Sequence, residues 1–130
     1  LNEAETVKMV SYAMEKGLNY YDTALGYHAG QSEVVLGKAL STFPRDNFYL
    51  AYKFPGYDIS SMDNVEEIFN TQLKRCCIDY FGFYLFHNVC EMSADAYLDE
   101  KHGIMDYSLN KRKQDESGIS GFPTMAAMMQ

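Results

Sequence analysis

The stretch Asp79-Tyr80-Phe81-Gly82-Phe83-Tyr84-Leu85-Phe86-His87 decides the fold. Between its charged ends the run is apolar at almost every position, not at alternate ones. A strand with one wet face alternates, whereas a continuous apolar run marks a parallel strand covered on both sides. A strand over residues 80–87 is therefore expected, ending on a titratable side chain.

The same kind of unit recurs upstream. Val65, Ile68, Phe69 and Leu73, with Gln72 among them, form the stripe of a helix. Asp63 opens it, and Glu66 stands at capping-box spacing. Residues 48–53 read as a strand stopped by Pro55-Gly56. A helix over residues 33–40, capped by Ser32, ends before Phe43-Pro44. Residues 18–22 are a short aromatic strand, followed by a loop at 26–31 with two glycines. Residues 3–16 carry Val7, Val10 and Met14 on one helical face. Asn2 is placed as cap, Glu3 and Glu5 lie at the positive end of the dipole, and Lys16-Gly17 is the stop. A last helix is expected near residues 103–113. Strand starts recur about every 30 residues, the size of a βα unit, which predicts parallel α/β. A barrel and a doubly wound sheet both satisfy this order, but no Gly-x-Gly-x-x-Gly follows a strand to support the second.

The 130 residues suffice for one hydrophobic core, and 47% hydrophobic with 22% charged residues is a globular balance. No apolar run approaches the ~20 residues of a membrane helix, so no membrane partner is expected. The formal net charge of −7 gives no reason to hold a phosphate backbone, so no nucleic-acid partner is expected either. The chain starts at Leu1 without a signal-like segment, and the expectation is that the true N-terminus lies upstream. Cys76, Cys77 and Cys90 make neither a disulfide framework nor a zinc spacing; buried thiols of a cytoplasmic protein, and no metal site, are expected.

Asp22, Lys53 and His87 are each titratable and each at the C-terminal end of an expected strand. In parallel α/β folds those ends form the active face. Tyr27 lies on the loop above the same face. Together they suit proton donation by a tyrosine. A free phenol has a pKa of about 10 and is a poor acid, but a neighbouring ammonium favours its phenolate. Lys53 supplies that charge, Asp22 holds Lys53, and His87 orients a carbonyl oxygen or passes a proton. Singly, each residue is as well explained as a strand-end charge or a core histidine; their placement on successive strands is what carries the reading.

These residues resemble the aldo-keto reductase family. Asn19-Tyr20-Tyr21-Asp22-Thr23-Ala24-Leu25-Gly26-Tyr27 is similar to its aromatic-Asp-Thr-Ala-x-x-Tyr signature. Glu33, Leu36-Gly37 and Leu40 match the continuation Glu-x-x-Leu-Gly-x-x-Leu. Leu50-Ala51-Tyr52-Lys53 resembles the strand bearing the family's lysine, and residues 79–87 the strand ending in its histidine. The resemblance, over about residues 5–109, implies a (β/α)8 barrel and NADP- or NAD-dependent reduction of a small-molecule carbonyl, with Asp22, Tyr27, Lys53 and His87 as catalytic residues. It is closest to bacterial members that often carry a C-terminal iron–sulfur extension, but nothing here supports such a cluster. A full barrel needs about 250 residues. The chain supplies an incomplete one, the second to fourth strands with their helices, and the family's main cofactor-binding positions lie on later strands.

Residues 1–113 are thus expected to be a partial barrel and residues 114–130 an atypical tail. The family's fifth strand reads roughly Gly-Arg-Ile-Arg-His-Leu-Gly-Phe-Ser-x-His-Gly. One synonymous coding of residues 114–130, read two bases on, gives Gly-Arg-Ile-Arg-His-Leu-Gly-Leu-Ser-Asp-His-Gly, which implies a change of frame near residues 111–114. Two other functions compete with an active enzyme. A non-catalytic regulatory protein would bind NADPH without turning over aldehydes. An inert truncated product would bind no cofactor and be rapidly proteolysed.

Overall fold

The computed structural model describes residues 1–56 and 58–116, and the side chains of these except 59–61 and 112–116. The tail expectation falls on residues 114–130, and those from 117 on lie outside the described residues. Three helix–strand pairs follow one another: α1 (Glu3–Glu15) and β1 (Tyr20–Asp22), α2 (Ser32–Leu40) and β2 (Tyr49–Phe54), α3 (Val65–Arg75) and β3 (Phe83–Phe86). A short α4 (Ala94–Leu98) and α5 (Ile104–Glu116) close the described chain. The strands pair in parallel in the order β1-β2-β3, with Asp22 opposite Ala51 and Lys53 opposite Leu85.

Local signals explain the first helix. Asn2 Oδ1 accepts from the Glu5 amide at 3.1 Å, and Gly17 leaves the helix at φ 88°, a conformation that favours glycine. Val10 is buried, and Val7 and Met14 pack partly against the core. Two expected caps are not made. Ser32 is the first residue of α2, and its hydroxyl accepts from the buried Thr23 hydroxyl at 3.0 Å. Asp63 lies in a 3-10 turn (Ile59–Asn64) ahead of α3, where its carboxylate meets His102 Nδ1 at 2.6 Å. A partner brought by tertiary structure has taken the oxygen that would have capped the helix.

The alternation of strand side chains divides the sheet into two unlike faces. Tyr21, Leu50, Tyr52, Phe54, Tyr84 and Phe86 are buried in the cluster that also contains Val10, Leu40, Val65 and Phe69 of the helices. Tyr20, Asp22 and Tyr49 on the other face are exposed, and Lys53, Phe83 and Leu85 are half-buried. The expectation of a third strand covered on both faces is thereby corrected: Phe83 is flanked by the rings of Tyr20 and Tyr49, at 5.4 and 5.8 Å between centroids, and the described helices cover the opposite face. The strand itself is also shorter than residues 80–87, although the Gly82 amide still donates to the Leu50 carbonyl at 3.0 Å. Of the cysteines expected to be buried, only Cys76 is; Cys77 is exposed and Cys90 intermediate. Cys77 stands at φ 54° just past the end of α3, where the chain turns its side chain off the apolar stripe.

Candidate active site

The open face ends in a polar rim. Asp22 is the last residue of β1, Lys53 the penultimate residue of β2, and His87 directly follows β3. Parallel pairing brings all three to one end, as their places in the sequence require. Lys53 Nζ donates to Asp22 Oδ1 and, at 3.4 Å, to the Thr23 carbonyl. The ammonium is largely enclosed while the carboxylate is partly open to solvent.

Tyr27 completes the cluster from the β1–α2 loop. Its ring lies 5.0 Å from Lys53 Nζ and meets the His87 ring edge-on, 6.1 Å between centroids at 90°. The phenol side chain keeps substantial exposure. All four expected residues are therefore neighbours at one rim. His87 is tied to the sheet by its amide, which donates to the Phe54 carbonyl at 3.1 Å. Its own carbonyl accepts from the Tyr97 hydroxyl at 2.8 Å. Burial, and then the Lys53 charge, lower the imidazole's pKa, with Asp22 acting against them. The ring is thus biased toward its neutral form.

Beneath the rim lies a buried polar layer built on Glu33 and Gln72, named above for a motif match and a helical stripe and not as partners of the strands. Glu33, on the apolar side of α2, has no exposed surface. It accepts from the Tyr52 hydroxyl and from Arg75 Nε, the latter at 2.5 Å. Gln72 donates to the Lys53 carbonyl at 3.3 Å and accepts from the Tyr84 hydroxyl. Burial first, and then the bond to Glu33 and its charge, push the Tyr52 phenol far above its usual range. The available signal was a polar side chain inside an apolar helical stripe, Gln72 beside Ile68 and Phe69, and Glu33 ahead of Val34-Val35-Leu36. Among the described residues, no group of three or more His, Cys, Asp or Glu side chains could hold a metal ion, and no helix is long and apolar enough to cross a membrane.

Comparison with known proteins bears on the family and the fold. The Aldo/keto reductase family matches residues 1–122, running into the segment set apart from residue 114 on. A probable aldo-keto reductase of Glycine max is 34% identical over 128 residues, covering 92% of this chain and 36% of that protein. L-galactose dehydrogenase of Arabidopsis thaliana is 28% identical over 127 residues, covering 93% and 40%. The chain thus spans well under half the length of these relatives. The holo form of an aldo-keto reductase from Bacillus halodurans superposes with a TM-score of 0.63 at 27% identity, over 92% of this chain and 38% of that one. An aldo-keto reductase from Klebsiella pneumoniae in complex with NADPH gives 0.66 at 23% identity, over 84% and 36%, and bears on the fold alone. The one-sided helix layer is what a section of a (β/α)8 barrel shows, since its other face looks into the barrel. By sequence match and by fold, the chain belongs to the aldo-keto reductase family.

Proposed function

We propose that the protein to which this chain belongs reduces a small-molecule aldehyde or ketone to an alcohol at the expense of NADPH or NADH. Tyr27 is the proton donor, Lys53 and Asp22 are its electrostatic partners, and His87 orients the substrate oxygen. The observation that carries this is the meeting of the Lys53 ammonium, the Tyr27 ring and the His87 ring at one end of a parallel sheet. The donor set fits the reacting end of a reduced nicotinamide: a phenol to give a proton, an ammonium to favour the charge left behind, and an imidazole biased toward neutrality. When bound, that group supplies a hydride to the carbonyl carbon.

The residues of this chain do the rest. Asp22 and the Thr23 carbonyl hold the Lys53 ammonium beside Tyr27. As the phenol proton passes to the carbonyl oxygen, the ammonium stabilises the phenolate. A neutral His87 can donate one N–H to the same oxygen and fix its direction. Cytoplasmic residence and a small-molecule carbonyl substrate, with no nucleic-acid or membrane partner, belong to the same proposal. So does the division at residue 114, with the tail arising from a change of frame. Coding DNA that spells no family-like fifth strand in another frame would reject that last part.

The test is nicotinamide oxidation with a panel of aldehydes and ketones, for the full-length protein to which the chain belongs and its Tyr27→Phe and Lys53→Met variants. Each variant is expected to lose about 10²–10⁴-fold in kcat, the usual weight of a general acid. Turnover undiminished in Tyr27→Phe would overturn the assignment. Cofactor binding without turnover in the parent would favour the regulatory alternative.

A further inference from the structure

The loop that carries Tyr27 is held from outside itself. Between β1 and α2 the chain passes through His28 and Ala29 at φ 52° and 55°, then Gly30 at φ 78°. Two successive non-glycine residues in the left-handed region are unfavourable, and persist only where surrounding structure fixes them. The turn's own bonds centre on Tyr27. Its amide donates to the Ala24 carbonyl at 3.1 Å, and its carbonyl accepts from the amides of Gly30 and Ser32 at 3.1 and 3.3 Å. The external hold comes from the neighbouring helix α3, distant only in sequence. Arg75, the last residue of α3, donates through Nη2 to the Gly30 carbonyl at 2.7 Å and through Nε to Glu33 at 2.5 Å. Glu33 is itself fixed by Tyr52 of β2. One guanidinium therefore spans the end of the loop and the first turn of the helix after it, with the helix anchored to the sheet.

We propose that Arg75 is a positioning residue for Tyr27, clamping the left-handed turn so that the phenol stays beside Lys53 and His87. The consequence for reduction rests on the reductase reading; the clamp itself does not. A planar fork with separate donors meets both acceptors at once, while an ammonium on a flexible stem meets them poorly. Arg75→Lys therefore keeps a charge for the buried Glu33 carboxylate but loosens the hold on Gly30.

Amide hydrogen exchange on the full chain tests this. In Arg75→Lys the amides of Tyr27, Gly30 and Ser32 are expected to exchange about tenfold faster, the loss of one charge-assisted hydrogen bond. Those of Leu50, Ala51 and Tyr52 should change by less than about twofold. Nuclear Overhauser contacts between the Tyr27 and His87 rings should weaken in parallel. If Arg75→Lys does not fold, the double variant Glu33→Gln/Arg75→Gln carries the same comparison with neither charge left buried. Equal acceleration of loop and strand, or no acceleration of the loop, would show a merely structural residue and overturn the proposal. Absence of carbonyl reduction alongside the expected exchange pattern would remove the reductase reading and leave the clamp standing.

Discussion

Gly37→Ala sets two effects of known sign against each other. Gly37 lies inside α2, where alanine is better than glycine by about 1 kcal/mol. On helix propensity alone the substitution stabilises. But a β-carbon there would sit 2.4 Å from the Cys76 carbonyl oxygen, 2.5 Å from its carbon and 2.7 Å from its Cα. Carbon contacts are comfortable only at about 3.5–4.0 Å, so α2 must move about 1 Å from the end of α3. The obstacle is backbone, and no rotamer change relieves it. Overpacking typically costs about 1–3 kcal/mol, and a backbone clash falls at the upper end. The net expectation is a loss of about 2 kcal/mol, or roughly 8 °C in thermal midpoint for a chain of this size.

The damage should also reach the site. Glu33 is one turn before Gly37, and Arg75 directly precedes Cys76. Parting the helices therefore parts the ion pair beneath the Tyr27 loop. The assay is urea and thermal unfolding followed by far-ultraviolet circular dichroism, parent against variant. A variant as stable as the parent, or more so, would show that propensity outweighs the close approach and refute the reasoning.

Three other expectations follow from the buried and rim groups. His87 should titrate below the usual imidazole value of about 6.5. Because its folded-state pKa is lowered, the unfolded chain binds the proton first. Its contribution to stability is then complete above that value and declines as pH falls below it. Lys53→Met removes the lowering charge and should raise the midpoint seen by proton NMR; a fall would contradict the assignment. Tyr52→Phe deprives a fully buried carboxylate of a donor and should cost about 1–3 kcal/mol in denaturant unfolding; a neutral result would mean that Arg75 alone satisfies Glu33. In native-state thiol labelling, Cys77 should react while Cys76 waits for unfolding. Cys76 has no exposure, and burial followed by the Glu33 charge pushes its thiol up; labelling of both at one rate would refute this.

What was legible in the sequence was local or periodic. Asn2 caps and Gly17 stops α1 because every group involved lies within four residues along the chain. The rim was legible for a different reason. In a parallel sheet the strand direction alone assigns Asp22, Lys53 and His87 to one end, so three local strand readings make one spatial statement. Illegible were contacts whose partners are far apart in sequence. Asp63 has cap spacing, but its carboxylate meets His102, 39 positions away. Glu33 and Arg75 are 42 positions apart, and nothing local in either helix announces the other. The apolar run at residues 80–87 misled on coverage, because the face of a strand turned into a barrel is as apolar as one under a helix. Phe83 and Leu85 are there, yet half-buried in the described residues.

The buried polar layer and the rim are linked through strand register. Side chains on β2 alternate, so a one-residue slip would carry Lys53 to the helix side and Tyr52 to the rim. Apolar packing resists such a slip weakly here. Leu50, Ala51, Tyr52 and Phe54 are all buried, and alternation of hydrophobicity along this strand is poor. The polar contacts are more discriminating. Tyr52 reaches Glu33 only from the helix-covered face, and Gln72 bonds the Lys53 carbonyl while its own oxygen takes the Tyr84 hydroxyl. Slipped by one, the strand would leave a buried carboxylate short of a donor and bury an ammonium beneath α3, each far costlier than a misplaced methyl group. Glu33 is fully buried while its partner Arg75 is partly exposed. The bond from Tyr52 to that carboxylate and the Gln72 contacts favour one register of β2, the register that brings the Lys53 ammonium to Asp22 and Tyr27.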